Sequence, residues 1–437
     1  MKPTRRQFGK VLAAAAGCCF IPHTAFGANE SVNIAVIGLG LRGSHIANTV
    51  KGVAGAKLVA VCDIVQPRIA DFVNRQKGAI TAEQGFTDFR KMIETVKPDG
   101  VCVQSATHQR AWITAHAMLL GCHTYIEKPM ALTITEGRYL VNLARKTKRI
   151  TQVGTQQRSM PLPVWACQQI AAGAIGKVKL VEAPNFVGPT VWIDKPGEPY
   201  SDGFDEQVWD IWQNQAPVRP FRKEIVGQDT RWGLWRDYDG GGLSFGVTGW
   251  GAHSYDQINA AIGANNTGPA EIVLEEPVSI QTIQRFNNYT GPRAKVTMRF
   301  ADGIEVRMHQ EPDRGPGLGC VVTGEKGKFE INRAKIVSNP LSIVENKPKE
   351  VQNWGADAAC HLLNWVECIK SGKLANADIE IGQRGHTLCE LVNIVRATAE
   401  VGKVIGWDSV KERFTNNDKG NEMLSRPRRK GYELPNG

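Results

Sequence analysis

Val32-Asn33-Ile34-Ala35-Val36-Ile37-Gly38-Leu39-Gly40-Leu41-Arg42-Gly43 is the stretch on which the fold of this 437-residue chain turns. A largely apolar, strand-like run leads into three glycines spaced G-x-G-x-x-G, and residues 44–53 then read as a helix. That order suits a loop closing on phosphate. Gly38 permits the tight turn, Gly40 lets the backbone approach a pyrophosphate, and Gly43 lets the helix pack on the strand. Leu41 and Arg42 complete the loop, and the helix start offers free N–H groups to an anion. A second strand, 57–62, ends in Asp63, twenty residues after Gly43. A carboxylate there accepts hydrogen bonds from a ribose diol and repels a 2′-phosphate. The spacing therefore predicts NAD rather than NADP, a preference that Arg68 would soften by folding back. The alternative, a glycine-rich turn in some other α/β protein, lacks a reason for Asp63.

Further out, the apolar run 123–126 is followed by Glu127-Lys128-Pro129. This places a lysine at a strand end, where a nicotinamide and a substrate would meet. A lone lysine is more often a surface group, but Lys-Pro at a strand end argues for a catalytic one. Strand-like runs at 32–37, 57–62, 100–105 and 123–126 alternate with helical stretches, which predicts a doubly wound parallel sheet. Residues 149–154 read as a strand leaving that domain. From 177 to 336 the pattern changes to alternating strands such as 280–284 and 295–300, and Asp302-Gly303 signals a hairpin. An open, mostly antiparallel sheet is expected there. Helical patterning returns at 356–370 and 382–400, before a basic tail with little periodicity.

The first residues belong to no fold. Thr4-Arg5-Arg6-Gln7-Phe8-Gly9-Lys10 precedes an alanine-rich apolar stretch and Ala25-Phe26-Gly27, as in a twin-arginine export signal. Gly9 stands where leucine is commoner. The apolar run is too short to span a bilayer. Ala15-Ala16-Gly17-Cys18 also looks like a lipid-attachment box without its usual leucine, and cleavage is the preferred reading. The expected organisation is thus 1–28 as signal, 30–150 as dinucleotide-binding domain and 151–437 as substrate domain. The protein would be periplasmic or otherwise exported, with the twin-arginine machinery as a partner. Removing the four bases of the signal takes the formal charge from +10 to +6. No basic stripe with interleaved aromatics argues for nucleic acid. The eight cysteines outside the signal show neither C-x-x-C pairing nor metal-type spacing, so buried thiols are expected and no metal.

These pieces together resemble the glucose–fructose oxidoreductase, inositol dehydrogenase and rhizopine-catabolism group (Gfo/Idh/MocA). The matching segments are the glycine loop, Asp63, Glu127-Lys128-Pro129, residues 152–158 (Gln152 to Arg158), Gly240-Gly241-Gly242, then Gly251-Ala252-His253 with Asp256, and the tail piece from His361 to Gly372. The resemblance implies a Rossmann domain followed by an α/β domain with an open sheet, through which homo-oligomers form. It implies that Lys128 contacts the reacting hydroxyl, that His253 acts as acid–base or orients the substrate, and that Glu127 shapes the nicotinamide end. Ser105, His108 and Gln156 are counted with the cofactor site on the same basis, although His108 and His386 belong to no constellation of their own. Three departures stand out. Gly249 occupies the place where dehydrogenases of this group carry an aspartate, Ala106 replaces a usual proline, and Arg110 replaces a usual histidine. The proton relay is therefore expected to differ while the nicotinamide site survives.

Five of the eleven tryptophans fall between 209 and 250, and with Tyr200, Tyr238, Arg231 and Arg236 they suit the C–H faces and hydroxyls of a sugar or cyclitol. Arg158, Trp235, Tyr238 and Asp256 are the substrate candidates. An aromatic core explains the cluster equally well. Three functions remain open: an exported NAD-dependent oxidoreductase on a sugar, glycoside or cyclitol; a redox-neutral glycoside hydrolase like glycoside hydrolase family 109; and a non-catalytic NAD-containing binding protein. Export disfavours free release of NADH, since no NAD pool is expected outside the cytoplasm. His361 and Asn364, one turn apart, are read as a staple at the domain junction.

Overall fold

The computed structural model describes residues 31–227, 231–242, 245–283, 289–312, 317–348 and 356–436. The export segment and the lipid box at Cys18 lie outside the described residues. Strands β1 (Val32–Ile37), β2 (Ala56–Cys62), β3 (Gly85–Phe86), β4 (Gly100–Val103), β5 (His123–Ile126) and β6 (Thr151–Val153) form one parallel sheet in the order β3-β2-β1-β4-β5-β6. The order reverses between β1 and β4, and ligands of such sheets bind outside the strand ends at that point. β1 is buried along almost its whole length, because helices cover both faces of a parallel sheet. This explains why its sequence reads as a continuous apolar run and not as an alternation. The strand read at residues 149–154 forms as β6, which pairs with β5 through Val153 and ends the parallel sheet.

The second sheet has nine strands. They are β7 (Val178–Pro184), β8 (Glu271–Leu274), β11 (Val296–Arg299), β12 (Glu305–Gln310), β13 (Cys320–Gly324), β14 (Gly327–Ile331), β15 (Ile336–Asn339), β16 (Val404–Asp408) and β17 (Arg413–Phe414); β9 (Ser279–Ile283) and β10 (Tyr289–Arg293) pair separately. The order is β15-β14-β13-β7-β12-β11-β8-β16-β17, antiparallel except for the β7–β12 pair. The Asp302-Gly303 turn closes the β11–β12 hairpin, with Gly303 at φ +87. Val306 and Met308 point into the core while Arg307 faces solvent, the period-two pattern of a sheet covered on one side. Helices Trp250–Ala261 and Ile379–Thr398 supply that cover.

The helix Ala356–Ser371, which carries the His361 and Asn364 expected at the domain junction, follows the substrate domain in sequence. It packs instead on the parallel sheet: Ala358, Leu362, Trp365 and Val366 join the core of Val32, Ile34 and Val36. The aperiodic basic tail is a strap. Arg428 pairs with Glu136, Arg429 with Asp210, and the Tyr139 hydroxyl donates to the Pro435 carbonyl. His361 behaves as the staple it was expected to be, with Nδ1 against Ser159 Oγ at 2.6 Å and Nε2 against the Val153 carbonyl at 2.9 Å.

Candidate active site

The glycine loop leaves β1 and enters the helix Leu41–Val50, which starts three residues earlier than its sequence suggests because Gly43 lies inside its first turn. Gly38 sits at φ +92 and donates its N–H to the Cys62 carbonyl at 2.7 Å. A Cβ on Gly38 would lie 2.9 Å from the backbone of Gln104 and Ser105, and one on Gly43 would lie 1.7 Å from the Gly38 carbonyl oxygen. Both positions thus require glycine for close backbone approach. Gly40 differs: a Cβ there meets nothing within 4 Å. That open space faces the start of a helix with no side-chain cap and no acid in its first turn. The unfilled cradle and the free N–H groups fit a dinucleotide pyrophosphate.

A cleft of about 940 Å³ runs from this loop, lined among others by Asp63, Arg68, Ser105 and Glu127. Asp63 ends β2 and is buried; its Oδ2 accepts from the Leu39 N–H at 2.7 Å and its Oδ1 from the Val65 N–H at 2.9 Å. The carboxylate therefore braces the loop as well as lining the cleft. Arg68 does fold toward it, with 4.0 Å between Nη1 and Oδ1, while its Nη2 donates to the Val226 carbonyl. The far wall comes from the second domain, where Asp202, Gly203, Trp212, Lys223 and Trp232 roof the cleft.

Glu127 is buried at the end of β5 and accepts from Arg42 Nε at 3.1 Å. Burial pushes its carboxyl up, but the charges of Arg42, Lys128 and Arg110 outweigh that and hold it below its usual range. Lys128 Nζ donates to the Gly249 carbonyl at 2.9 Å. Burial lowers its pKa to about 8, with Glu127 opposing and Arg110 adding to the shift. Gly249 is the N-cap of the helix Trp250–Ala261, and His253 lies one turn further along that helix. His253 Nδ1 faces Arg333 Nη2 at 3.1 Å. A guanidinium can only donate, so Nδ1 accepts and Nε2 carries the proton. Burial first, then Arg333 and Lys128, depress the imidazole's pKa well below its ordinary value. His253 is a neutral donor, not an imidazolium. Neither Lys128 nor His253 lines the 940 Å³ cleft; Glu127 marks where its wall ends.

Other expectations are corrected. His108 is not at the cleft: it is fully buried, its Nε2 lies 2.8 Å from the Trp212 carbonyl, and its ring packs against Trp212 and Tyr238. Burial takes its pKa down to about 3. Gln156 is likewise buried away from the cleft lining and donates to the Tyr125 hydroxyl at 3.1 Å. Among the substrate candidates, Arg158 and Asp256 engage each other. Two 2.8 Å contacts join the guanidinium to both carboxylate oxygens, and both side chains are buried. A pair so closed serves the packing of Gln156–Ser159 on the helix Trp250–Ala261. Trp235 and Tyr238 belong to a buried aromatic core with Trp192, Phe204, Trp209, Trp212 and Phe221 and do not line the cleft, whereas Trp212 and Trp232 of the same segment do.

Arg110 was noted in the sequence only as a departure. It ties the loop after β4 to the lysine turn, donating to the Ser105 carbonyl at 2.9 Å, the Thr107 hydroxyl at 3.0 Å and the Pro129 carbonyl at 2.7 Å. Arg333 was missed altogether, since nothing near it in sequence marks its contact with His253.

A parallel dinucleotide fold, a cradle for pyrophosphate and a lysine at the strand end define the class. The chain belongs to the Gfo/Idh/MocA oxidoreductase family. Residues 32–155 match the family's NAD-binding Rossmann fold and residues 170–434 its C-terminal alpha/beta domain. Among curated proteins, a glycosyl hydrolase family 109 protein of Akkermansia muciniphila is 30% identical over 125 residues, 28% of this chain and 26% of its own length. The NAD(+)-dependent scyllo-inositol 2-dehydrogenase of Bacillus subtilis is 34% identical over 149 residues, 34% of this chain and 42% of its own. The chain thus spans less than half the length of these relatives. Among solved structures, the aldose-aldose oxidoreductase of Caulobacter crescentus, complexed with glycerol, shares the fold with a TM-score of 0.60 at 16% identity. That match covers 86% of this chain and 99% of the other.

Proposed function

We propose that this chain is an exported NAD-dependent oxidoreductase acting on a sugar, glycoside or cyclitol, with Lys128 and His253 handling the hydroxyl proton. The observation that carries this reading is the seat of the Lys128 ammonium on the Gly249 carbonyl, at the start of the helix that presents neutral His253. Bound NAD supplies the hydride acceptor and donor. Lys128, with its pKa brought down to about 8, takes the proton from the hydroxyl oxygen of an alcohol and returns it to a carbonyl oxygen. His253 donates from Nε2 to the same class of oxygen. Arg42 and Glu127 tie the glycine loop to the strand end that bears the lysine, and so keep cofactor and proton carrier in register.

A second reading, redox-neutral glycoside hydrolysis, is supported by the family 109 relative and by export, because a cofactor that is oxidised again within each cycle needs no external pool. The roofed cleft suits a retained cofactor under both readings. A non-catalytic NAD-binding role leaves the buried lysine unexplained. The test is the purified protein mixed with cyclitols, aldoses and glycosides in deuterated water. Reduced-nicotinamide absorbance that rises when an alcohol is added marks the first reading, whose hydride passes directly between carbon and cofactor; deuterium entering the carbon beside the oxidised one, with a released aglycone, marks the second. Neither signal with any compound of the panel sinks both readings.

The export signal is part of the proposal. Changing Arg5 and Arg6 together to lysine should leave the precursor in the cytoplasm, because the arginine pair is read by a receptor. Fractionation that finds the variant outside the cytoplasm in normal amounts refutes the route.

A further inference from the structure

The run Gly240-Gly241-Gly242 matches its family but has no task in the account above. Its surroundings give it one. A Cβ on Gly242 would lie 2.6 Å from Asp239 Oδ1, and one on Gly240 would lie 2.6 Å from both Glu390 Oε1 and Thr248 Cγ2. The glycines therefore make room for two carboxylates inside the protein. Asp239 is completely buried, and among the described residues it forms no ion pair and its Oδ2 makes no hydrogen bond. Its Oδ1 accepts a hydrogen bond from the Thr248 hydroxyl. The N–H groups of Thr248 and Gly249 both donate to the Gly241 carbonyl, at 3.1 and 3.0 Å. The Gly249 carbonyl, in turn, receives Lys128 Nζ. One closed turn thus links a buried carboxylate to the lysine.

We propose that Asp239 is a positioning residue for the reaction, which orients the Gly249 carbonyl through Thr248 and supplies the buried negative charge that holds Lys128 as an ammonium. This inference rests on Lys128 being the proton carrier. A buried carboxylate without a dedicated ion pair is costly, and such groups gather at functional sites. Burial raises the carboxyl's pKa, while Thr107, Thr248 and the charges of Arg110 and Lys128 pull it back. Lys128 is also faced by Glu127, Arg110 and Arg42. From the helix Trp250–Ala261 it meets His253 with Arg333; Glu390 of Ile379–Thr398 faces Asp239 instead, under the charges of Arg426 and Arg236.

Asp239→Asn keeps the shape and the Thr248 contact and removes the charge. Lys128 should then lose its proton at lower pH. Two measurements read this. The first is the pH midpoint for acetylation of Lys128 by an anhydride, followed by mass spectrometry on the protein with NAD bound. The second is the pH limb of turnover. Both should move down by about one unit, the scale of a nearby opposite charge. The reactive amine at pH 7 then rises about fivefold. Thr248→Val, which leaves the carboxylate but removes its donor, should shift the midpoint the same way by less. An unmoved midpoint in both variants, with parental Tm, overturns the assignment. A moved midpoint in a protein that oxidises no alcohol upholds Asp239 and defeats the functional reading instead.

Discussion

Lys128→Ala is expected to lower turnover by about 10²–10⁴-fold, the range for a lost proton-transfer group, while NAD remains bound. The two effects separate because Lys128 contacts the Gly249 carbonyl and not the glycine loop. Glu127 keeps its Arg42 partner in the variant, so the strand end stays tied to the loop. The pH dependence adds a sign. Burial has brought the amine to about pKa 8, so in the parent one limb of the rate profile should fall near pH 8. If the amine acts as base, the rate rises through that limb as pH increases; if the ammonium acts as acid, it falls. In Lys128→Ala the limb should vanish in either direction. Lys128→Arg retains a charge that does not titrate, and it should be nearly as slow as alanine. Full turnover in Lys128→Ala at saturating substrate would assign the proton to another group.

The parts of this site that were legible in sequence are those whose constraint is local. Gly38, Gly40 and Gly43 obey a spacing set by one turn, and Asp63 follows at the length of one helix and one strand. Lys128 is fixed by the strand that precedes it. Gln156 sits in the short turn after β6 and is turned inward to the Tyr125 hydroxyl, while His108 failed for a separate physical reason. Nearly every residue of the helix Thr107–Leu119 is buried, polar or not, so no solvent face marks which side meets the cleft. Arg158 and Asp256 are 98 residues apart and saturate each other, and a charged residue read singly does not announce its partner. The helix Ala356–Ser371 shows an apolar face, but periodicity states only that the face is covered, not that Trp365 crosses to the other domain. Asp239 and Glu390 were hidden in the same way: a run of glycines does not announce that Gly240 and Gly242 make room for carboxylates so far apart in sequence.

Gly43→Ala should damage both the fold and the cofactor site, and Gly40→Ala the cofactor site alone. The difference lies in what a methyl group would meet. At Gly43 the new carbon falls 1.7 Å from the Gly38 carbonyl oxygen, and both partners are backbone, so no rotamer change relieves the clash. The helix Leu41–Val50 must then lift from β1, which disturbs the packing of Ile46, Ala47 and Val50 on Val32, Ile34 and Val36. Overpacking of this kind costs about 1–3 kcal/mol, and Tm falls roughly 2–4 °C per kcal/mol in a domain of 150–250 residues. Gly40 has φ −60, which alanine adopts freely, and open space around it. Its alanine variant should melt with the parent when NAD is absent. Added NAD should raise the parent's Tm through its binding to the folded state, and should raise the Gly40→Ala Tm much less, because the methyl group takes the space left for the pyrophosphate. Thermal melts of three proteins with and without NAD therefore resolve the two roles. A Gly43→Ala protein as stable as the parent would mean that helix and strand are not in the close contact described. A Gly40→Ala protein stabilised by NAD as strongly as the parent would mean that the cofactor's phosphates lie elsewhere than over this loop.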